Sequence, residues 1–198
     1  MMHKYKDNVL YKCIKYSLSP IFKFIYKPTI INKNNINYKD KVILAGNHTS
    51  ILDPVLLMSI FDRQIHFLAK KELFYGLKGI IFKNMGLISV DRSKKDKNVL
   101  KNAKYYLDNN LVVCIFPEGT TEKDKYPNLL PFKIGTSKLS NDTSTPILPF
   151  KIIGRYKIFR KKVKIVFGDL IYPSNDILSD NKRLYDIINN MRGWWYVI

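Results

Sequence analysis

Lys41-Val42-Ile43-Leu44-Ala45-Gly46-Asn47-His48-Thr49-Ser50-Ile51-Leu52-Asp53-Pro54 passes from an apolar, β-branched run through a polar turn into a helix start. Lys41–Ala45 reads as a strand, and Pro54–Phe61 reads as a helix with Asp53 as its N-cap and Pro at the first helical position. The alternation repeats downstream. Strand-like runs lie at Ile65–Ala69, Leu87–Val90, Leu111–Phe116, Pro146–Ile153 and Val163–Phe167. Between them, Ser93 to Asp96 reads as a capping-box start for a helix through about Leu107, stopped by Asn109-Asn110. Pro131–Leu139 and Lys182–Arg192 are further helices, the last with Leu184, Ile187, Ile188 and Met191 on one face. Strands alternating with helices predict an α/β fold, a single domain with a mixed, largely central β-sheet flanked by helices and chemistry in the loops at strand ends.

Upstream, Tyr5, Val9, Leu10, Cys13, Ile14 and Leu18 fall at helical spacing with Lys4, Lys6, Lys12 and Lys15 largely off that face. After Pro20 a second short segment repeats the mixture with Ile21, Phe22, Lys23, Phe24, Ile25 and Lys27, and Pro28 ends it. Asn32 to Asp40 reads as a polar linker. The expected organisation is a basic amphipathic membrane-association segment with its linker at 1–40, then a catalytic domain at 41–198. No stretch reaches about 18 uninterrupted apolar residues, so no conventional transmembrane helix is expected. Lysines interrupt the N-terminal apolar region, so no signal peptide is expected either.

The chain has 198 residues, a length for one domain, and its 46% hydrophobic and 25% charged residues exclude collagen-like and wholly disordered classes. Its charge is unusual: 34 Lys+Arg against 16 Asp+Glu gives +18. That excess predicts an anionic partner: nucleic acid, acidic lipid or an acidic carrier protein. Cys13 and Cys114 do not make a disulfide framework and suit a reducing compartment.

His48 and Asp53 are five positions apart, a rotation of about 500° on a regular helix, which would put them on different faces. They meet only if His48 lies in the loop and Asp53 near the helix start. Pro54 favours an extended residue before it, consistent with that arrangement. Asp53 would then fix one ring nitrogen of His48 and leave the other as a base. Taken alone, a lone His near a strand end is more often structural, and Asp53 already has a role as a cap. Three other segments add to the pair. Phe116-Pro117-Glu118-Gly119-Thr120 ends a strand with a carboxylate and a glycine turn. Gly86-Leu87-Ile88-Ser89-Val90-Asp91-Arg92 delivers Arg92, a residue suited to bidentate phosphate binding, into a loop. Pro146-Ile147-Leu148-Pro149-Phe150 is an apolar strand.

In content and order these segments resemble the glycerolipid acyltransferase family, typified by bacterial 1-acylglycerol-3-phosphate acyltransferases. Phe132-Lys133-Ile134-Gly135 is similar to the Phe-Lys-x-Gly stretch that follows the third motif there. The resemblance spans roughly Lys41 to Phe167. It implies acyl transfer from a thioester, acyl-carrier protein or acyl-CoA, to the free hydroxyl of lysophosphatidate, with no cofactor beyond that co-substrate and no metal. His48 would be the general base and Asp53 its orienting partner. Arg92 would bind the acceptor phosphate, and Glu118, Gly119, Thr120 and Lys133 would complete the acceptor site. The third motif usually continues with Arg, where this chain has Thr121, so Lys123 or Lys125 would have to substitute or the acceptor differs.

The same resemblance, with the basic N-terminus, implies a peripheral or monotopic protein on the cytoplasmic face of an anionic membrane. Nucleic acid is not expected, because no nucleic-acid motif accompanies the charge. Cys114 reads as a small core residue, and His3 and His66 show no metal-ligand spacing. Trp194-Trp195-Tyr196 suits either a headgroup boundary or docking on the domain.

Overall fold

A computed structural model describes residues 8–36, 39–91, 97–121 and 129–192 of the chain. Arg92, Lys123, Lys125, His3, Lys4, Tyr5, Lys6, the capping box at Ser93 to Asp96 and Trp194-Trp195-Tyr196 lie outside the described residues.

Seven described strands form one sheet: β1 (Thr29–Ile31), β2 (Val42–Gly46), β3 (Ile65–Lys70), β4 (Ile88–Val90), β5 (Val112–Ile115), β6 (Ile147–Gly154) and β7 (Val163–Phe167). Their order is β1-β7-β6-β2-β5-β3-β4. β2 to β6 are parallel, β7 returns antiparallel to β6, and β1 lies parallel to β7 at the edge. Strand alternation divides the core between two faces. Val42 and Leu44 pack with Leu56, Leu57 and Phe22 beneath α1 (Val9–Tyr26) and α2 (Asp53–Ile60). Ile43 and Ala45 pack with Ala103, Leu107, Leu139, Leu184 and Ile188, on the face covered by α4 (Lys97–Asp108), α5 (Gly135–Thr143) and α6 (Ile177–Asn190). The α/β domain with a mixed central sheet is therefore present, and the carboxyl ends of β2 to β6 share one end of it.

Several local expectations change. The N-terminal segment is one helix through Pro20, not two. Tyr11, Lys15, Ser19 and Phe22 are its buried stripe, and their spacing carries straight across the proline. Packing on α2 thus outweighs a broken helical hydrogen bond, an effect of about 3 kcal/mol. Thr29–Ile31, upstream of the expected domain start at Lys41, is the edge strand β1, too short to register as a pattern. The helix expected at Pro131–Leu139 begins at Gly135, because Lys133 N–H donates to the Pro117 carbonyl at 3.0 Å and pins the residues before it to the turn after β5. The final helix starts earlier than Lys182, where Asp176 caps Leu178 and Ser179. α3 (Gly76–Asn84), preceded by a 3-10 turn at Lys71–Phe74, was not legible from periodicity.

Lys15 is the unusual member of the buried stripe, at 7% exposure. Its ammonium donates to the carbonyls of Phe61 and Asp62, at the carboxyl end of α2, where a cation complements the helix dipole. It is accordingly a tether rather than a lysine available to a membrane. No helix among the described residues is long and apolar enough to cross a membrane. Replacing Lys15 with Met keeps the stem but removes the donors, so it should lower stability by about 1–3 kcal/mol in urea denaturation. An unchanged midpoint would show that the tether contributes nothing.

Candidate active site

The loop after β2 holds the expected pair together. His48 Nδ1 lies 2.8 Å from Asp53 Oδ2, and Asp53 is fully buried. Asp53 is not the N-cap expected from sequence: it is the first residue of α2, with Pro54 next and Leu52 at the cap. Nor is it extended, because the helix geometry prevails over the preference of a residue before proline. Its carboxylate instead turns back over the loop. The N–H groups of Thr49 and Ser50 donate to Oδ2 at 2.6 and 2.8 Å, and the Thr49 hydroxyl donates to Oδ1 at 3.1 Å. Tyr156, beyond the end of β6, donates its hydroxyl to Oδ1 at 2.6 Å. Burial first, then the charge and hydrogen bond of Asp53, push the Tyr156 hydroxyl above the ordinary phenol range, so it remains a donor.

Neighbouring residues fix the loop itself. The Asn47 amide grips the Ile152 backbone twice, donating to its carbonyl at 2.9 Å and accepting from its N–H at 2.7 Å. This bond pair continues the β2–β6 ladder one residue beyond the strand. The His48 ring stacks on Phe116 at 4.0 Å between centroids and 12° between planes. With Nδ1 committed to Asp53, Nε2 is the ring nitrogen left for chemistry.

The loop after β5 braces the first. Glu118, 5% exposed, accepts from His48 N–H at 3.2 Å and from Leu130 N–H at 3.0 Å. Gly119 has φ +72°, and a side chain there would collide with the end of Lys133, whose Nζ would sit 2.7 Å from the added carbon. Glycine thus lets the Lys133 ammonium lie over the turn.

These elements line a cavity of about 1010 Å³, at the upper end of the ~300–1,000 Å³ usual for small-molecule sites. His48, Gly119, Thr121 and Lys133 line it, whereas Glu118 and Thr120 do not. The walls are mostly apolar, including Val55, Met58, Phe67, Phe82 and Met85, with Tyr11 of α1. Lys70 and Lys133 are the cations among the described residues on its wall. Cys114 is buried, and burial followed by the charge of Asp53 raises its thiol well above the usual range, as suits an inert core residue. His66 stacks on Tyr106 and bonds the Gly86 carbonyl through Nδ1 at 2.7 Å, a core position.

A family model described as Acyltransferase matches residues 27–153, which include the His48–Asp53 pair and the loop after β5 but neither Tyr11 nor Tyr156. The chain belongs to the acyltransferase family. Against the 1-acyl-sn-glycerol-3-phosphate acyltransferase of Helicobacter pylori it is 37% identical over 126 residues, 61% of this chain and 52% of that protein. The chain therefore spans about half the length of that relative. Against the Bacillus subtilis protein of the same name it is 26% identical over 200 residues, covering 92% of this chain and 98% of the relative. The crystal structure of the 1-acyl-sn-glycerophosphate acyltransferase of Thermotoga maritima superposes with a TM-score of 0.69 at 22% identity, over 93% of this chain and 83% of that one, which establishes a shared fold.

Two residues of the candidate site escaped the sequence. Asn47 sits in the quoted motif, but its function is a backbone clamp that only the sheet order reveals. Tyr156 follows Gly154-Arg155 with no local signal, and reaches Asp53 across 103 positions. If Tyr156 supports the buried carboxylate, Tyr156→Phe should cost about 1–3 kcal/mol of stability, and less in an Asp53→Asn background. Equal losses in the two backgrounds, measured by urea denaturation, would mean that the hydroxyl acts elsewhere.

Proposed function

We propose that this acyltransferase moves a fatty acyl group from an acyl thioester, carried on coenzyme A or acyl-carrier protein, to the free hydroxyl of lysophosphatidate, giving phosphatidate. The observation that carries the reading is the His48–Asp53 pair on the wall of a large apolar cavity, with Nδ1 committed and Nε2 left over. The names of the H. pylori and B. subtilis relatives support the acceptor.

In this reading Nε2 of His48 takes the proton of the acceptor hydroxyl as its oxygen attacks the thioester carbonyl. The oxygen–carbon bond forms, the carbon–sulfur bond breaks, and the imidazolium returns the proton to the departing thiolate. Asp53 holds the ring and stabilises its transient positive charge. No acyl-enzyme forms. General base catalysis of this kind contributes roughly 10²–10⁴-fold, and holding two substrates together in a dry groove contributes several kcal/mol more. Lys133, lying over Gly119, and Arg92, to which the motif resemblance assigns phosphate binding, are the groups for the acceptor phosphate. Thr121 faces the cavity where the family usually has Arg, so Lys133 carries more of this task here. Glu118 serves the site by bracing His48 and Leu130. The protein works as a peripheral membrane enzyme on the cytoplasmic face of an anionic bilayer, where its lipid acceptor resides.

The test is an assay of purified protein with acyl-carrier-protein and CoA thioesters, each against lysophosphatidate, other lysophospholipids and glycerol phosphate. Phosphatidate from lysophosphatidate as the preferred acceptor is expected. Preference for a different lysolipid or for glycerol phosphate would move the acceptor and keep the reaction class, and no transfer with any pair would overturn the reading.

A further inference from the structure

We propose that the carboxyl end of the sheet lies directly on an anionic bilayer, held by two apolar projections that straddle the cavity mouth. This rests on the membrane reading above and specifies the surface that carries it.

The topology places the projections. The loops after β2 and β5 hold His48 and Glu118, and these strands are adjacent in the sheet. On one side, β6 ends at Gly154 at that same end, and the connection 155–162 turns there into β7. Because Thr29 of β1 pairs with Lys164 near the start of β7, the carboxyl end of α1 is brought to the same place. On the other side, β3 ends at Lys70 and runs into the 3-10 turn and α3. Ile51 and Leu73 line the cavity and are 85% and 44% exposed, so its mouth opens at this end as well.

Both flanks carry apolar side chains that fold stability does not require outside. Phe24, Ile158 and Phe159 are 66%, 63% and 61% exposed on one flank, and Leu77 and Ile80 are 82% and 59% exposed on the other. Scattered surface leucines need no explanation, but contiguous exposed aromatics do. Phe24 and Phe159 meet edge to face at 5.9 Å, and Phe159 N–H donates to the Ile25 carbonyl at 2.7 Å, which welds the connection to α1. Phe159 is also held at φ +54°, a conformation that an aromatic residue adopts only when its surroundings impose it.

Charge selects the occupant. Residues 155–162 contain Arg155, Lys157, Arg160, Lys161 and Lys162 and no acidic residue, and α1 contains no acidic residue either. Lys23, Lys27 and Lys161 line an open notch of about 490 Å³, and Lys27 Nζ lies 5.9 Å from the centre of the Phe24 ring, so cations adjoin the Phe24–Phe159 pair. An apolar tip within a basic collar matches acyl chains below and anionic phosphates around. Nucleic acid or an acidic carrier protein would answer to the cations but leaves the aliphatic tips on both flanks without a partner. Docked this way, the cavity mouth meets the bilayer and a lipid acceptor passes into it without crossing water.

The test compares full-length protein with the double variants Ile158→Ser/Phe159→Asn and Leu77→Ser/Ile80→Ser, Asn being chosen because it tolerates positive φ. Binding is read by sedimentation with phosphatidylcholine vesicles with and without phosphatidylglycerol, and circular dichroism confirms folding. The parent should prefer the anionic vesicles, and each variant should bind them about tenfold or more weakly. Transfer to lysophosphatidate dispersed in detergent should stay within about twofold, because none of the four exposed side chains lines the cavity, while transfer to vesicle-borne lysophosphatidate falls with binding. Variants that sediment like the parent, or a parent that prefers single-stranded nucleic acid to vesicles, would overturn the proposal. A parent active in detergent but blind to vesicles overturns the docking surface and spares the reaction. A parent inactive in detergent overturns the reaction, and the vesicle binding of the variants still decides the surface.

Discussion

A buried carboxylate must be surrounded by donors or it destabilises the protein that contains it, and Asp53 is fully buried. His48, two backbone N–H groups, the Thr49 hydroxyl and Tyr156 meet that demand from the β2 loop and from the far end of β6. The requirement therefore reaches well past the pair. It fixes the turn at Thr49-Ser50, aligns β2 with β6 where Asn47 grips Ile152, and brings the start of the 155–162 connection against the site. Tyr156 in turn packs edge to face against Tyr26 and Phe22 of α1. The N-terminal helix is thus continuous, through aromatic contacts, with the carboxylate that orients His48.

That continuity changes the meaning of the basic N-terminus. The basic N-terminus was expected to be an amphipathic membrane-association segment; α1 is seated on α2 by a buried stripe, and one of its lysines is consumed in the seating. Other cations, Lys23 and Lys27 near the end of α1 and five in residues 155–162, lie outside that buried stripe. Bulk composition could signal an anionic partner but not separate a lysine that binds carbonyls from one that faces outward. That distinction depends on which side of a helix is covered, and the cover comes from residues some fifty positions away.

The α/β sheet was legible because its central strands are short β-branched runs between strong turn signals, and burial on both faces makes such runs apolar throughout. The His48–Asp53 contact was legible as a condition on loop and helix start, and the structure meets it by a different route, with Asp53 inside the helix. Glu118 was read as part of the acceptor site; its oxygens accept from the backbone N–H groups of His48 and Leu130, contacts that no one-dimensional spacing reveals. Pro20 and Pro131 misled in opposite ways. At Pro20 tertiary packing overrode a helix breaker, whereas at Pro131 a backbone bond to the β5 turn overrode a helix-like pattern. β1 and α3 were invisible because three residues are too few for a pattern, and the lysines and glycines of α3 are mixed among its apolar residues without a clear period.

The central claim is that Nε2 of His48 removes the acceptor proton, and the most direct measurement is the acyl-transfer rate of purified, folded His48→Ala protein beside the parent under saturating donor and acceptor. Loss of general base catalysis should lower the rate by roughly 10²–10⁴-fold. Transfer surviving within a few-fold of the parent would contradict the general-base assignment.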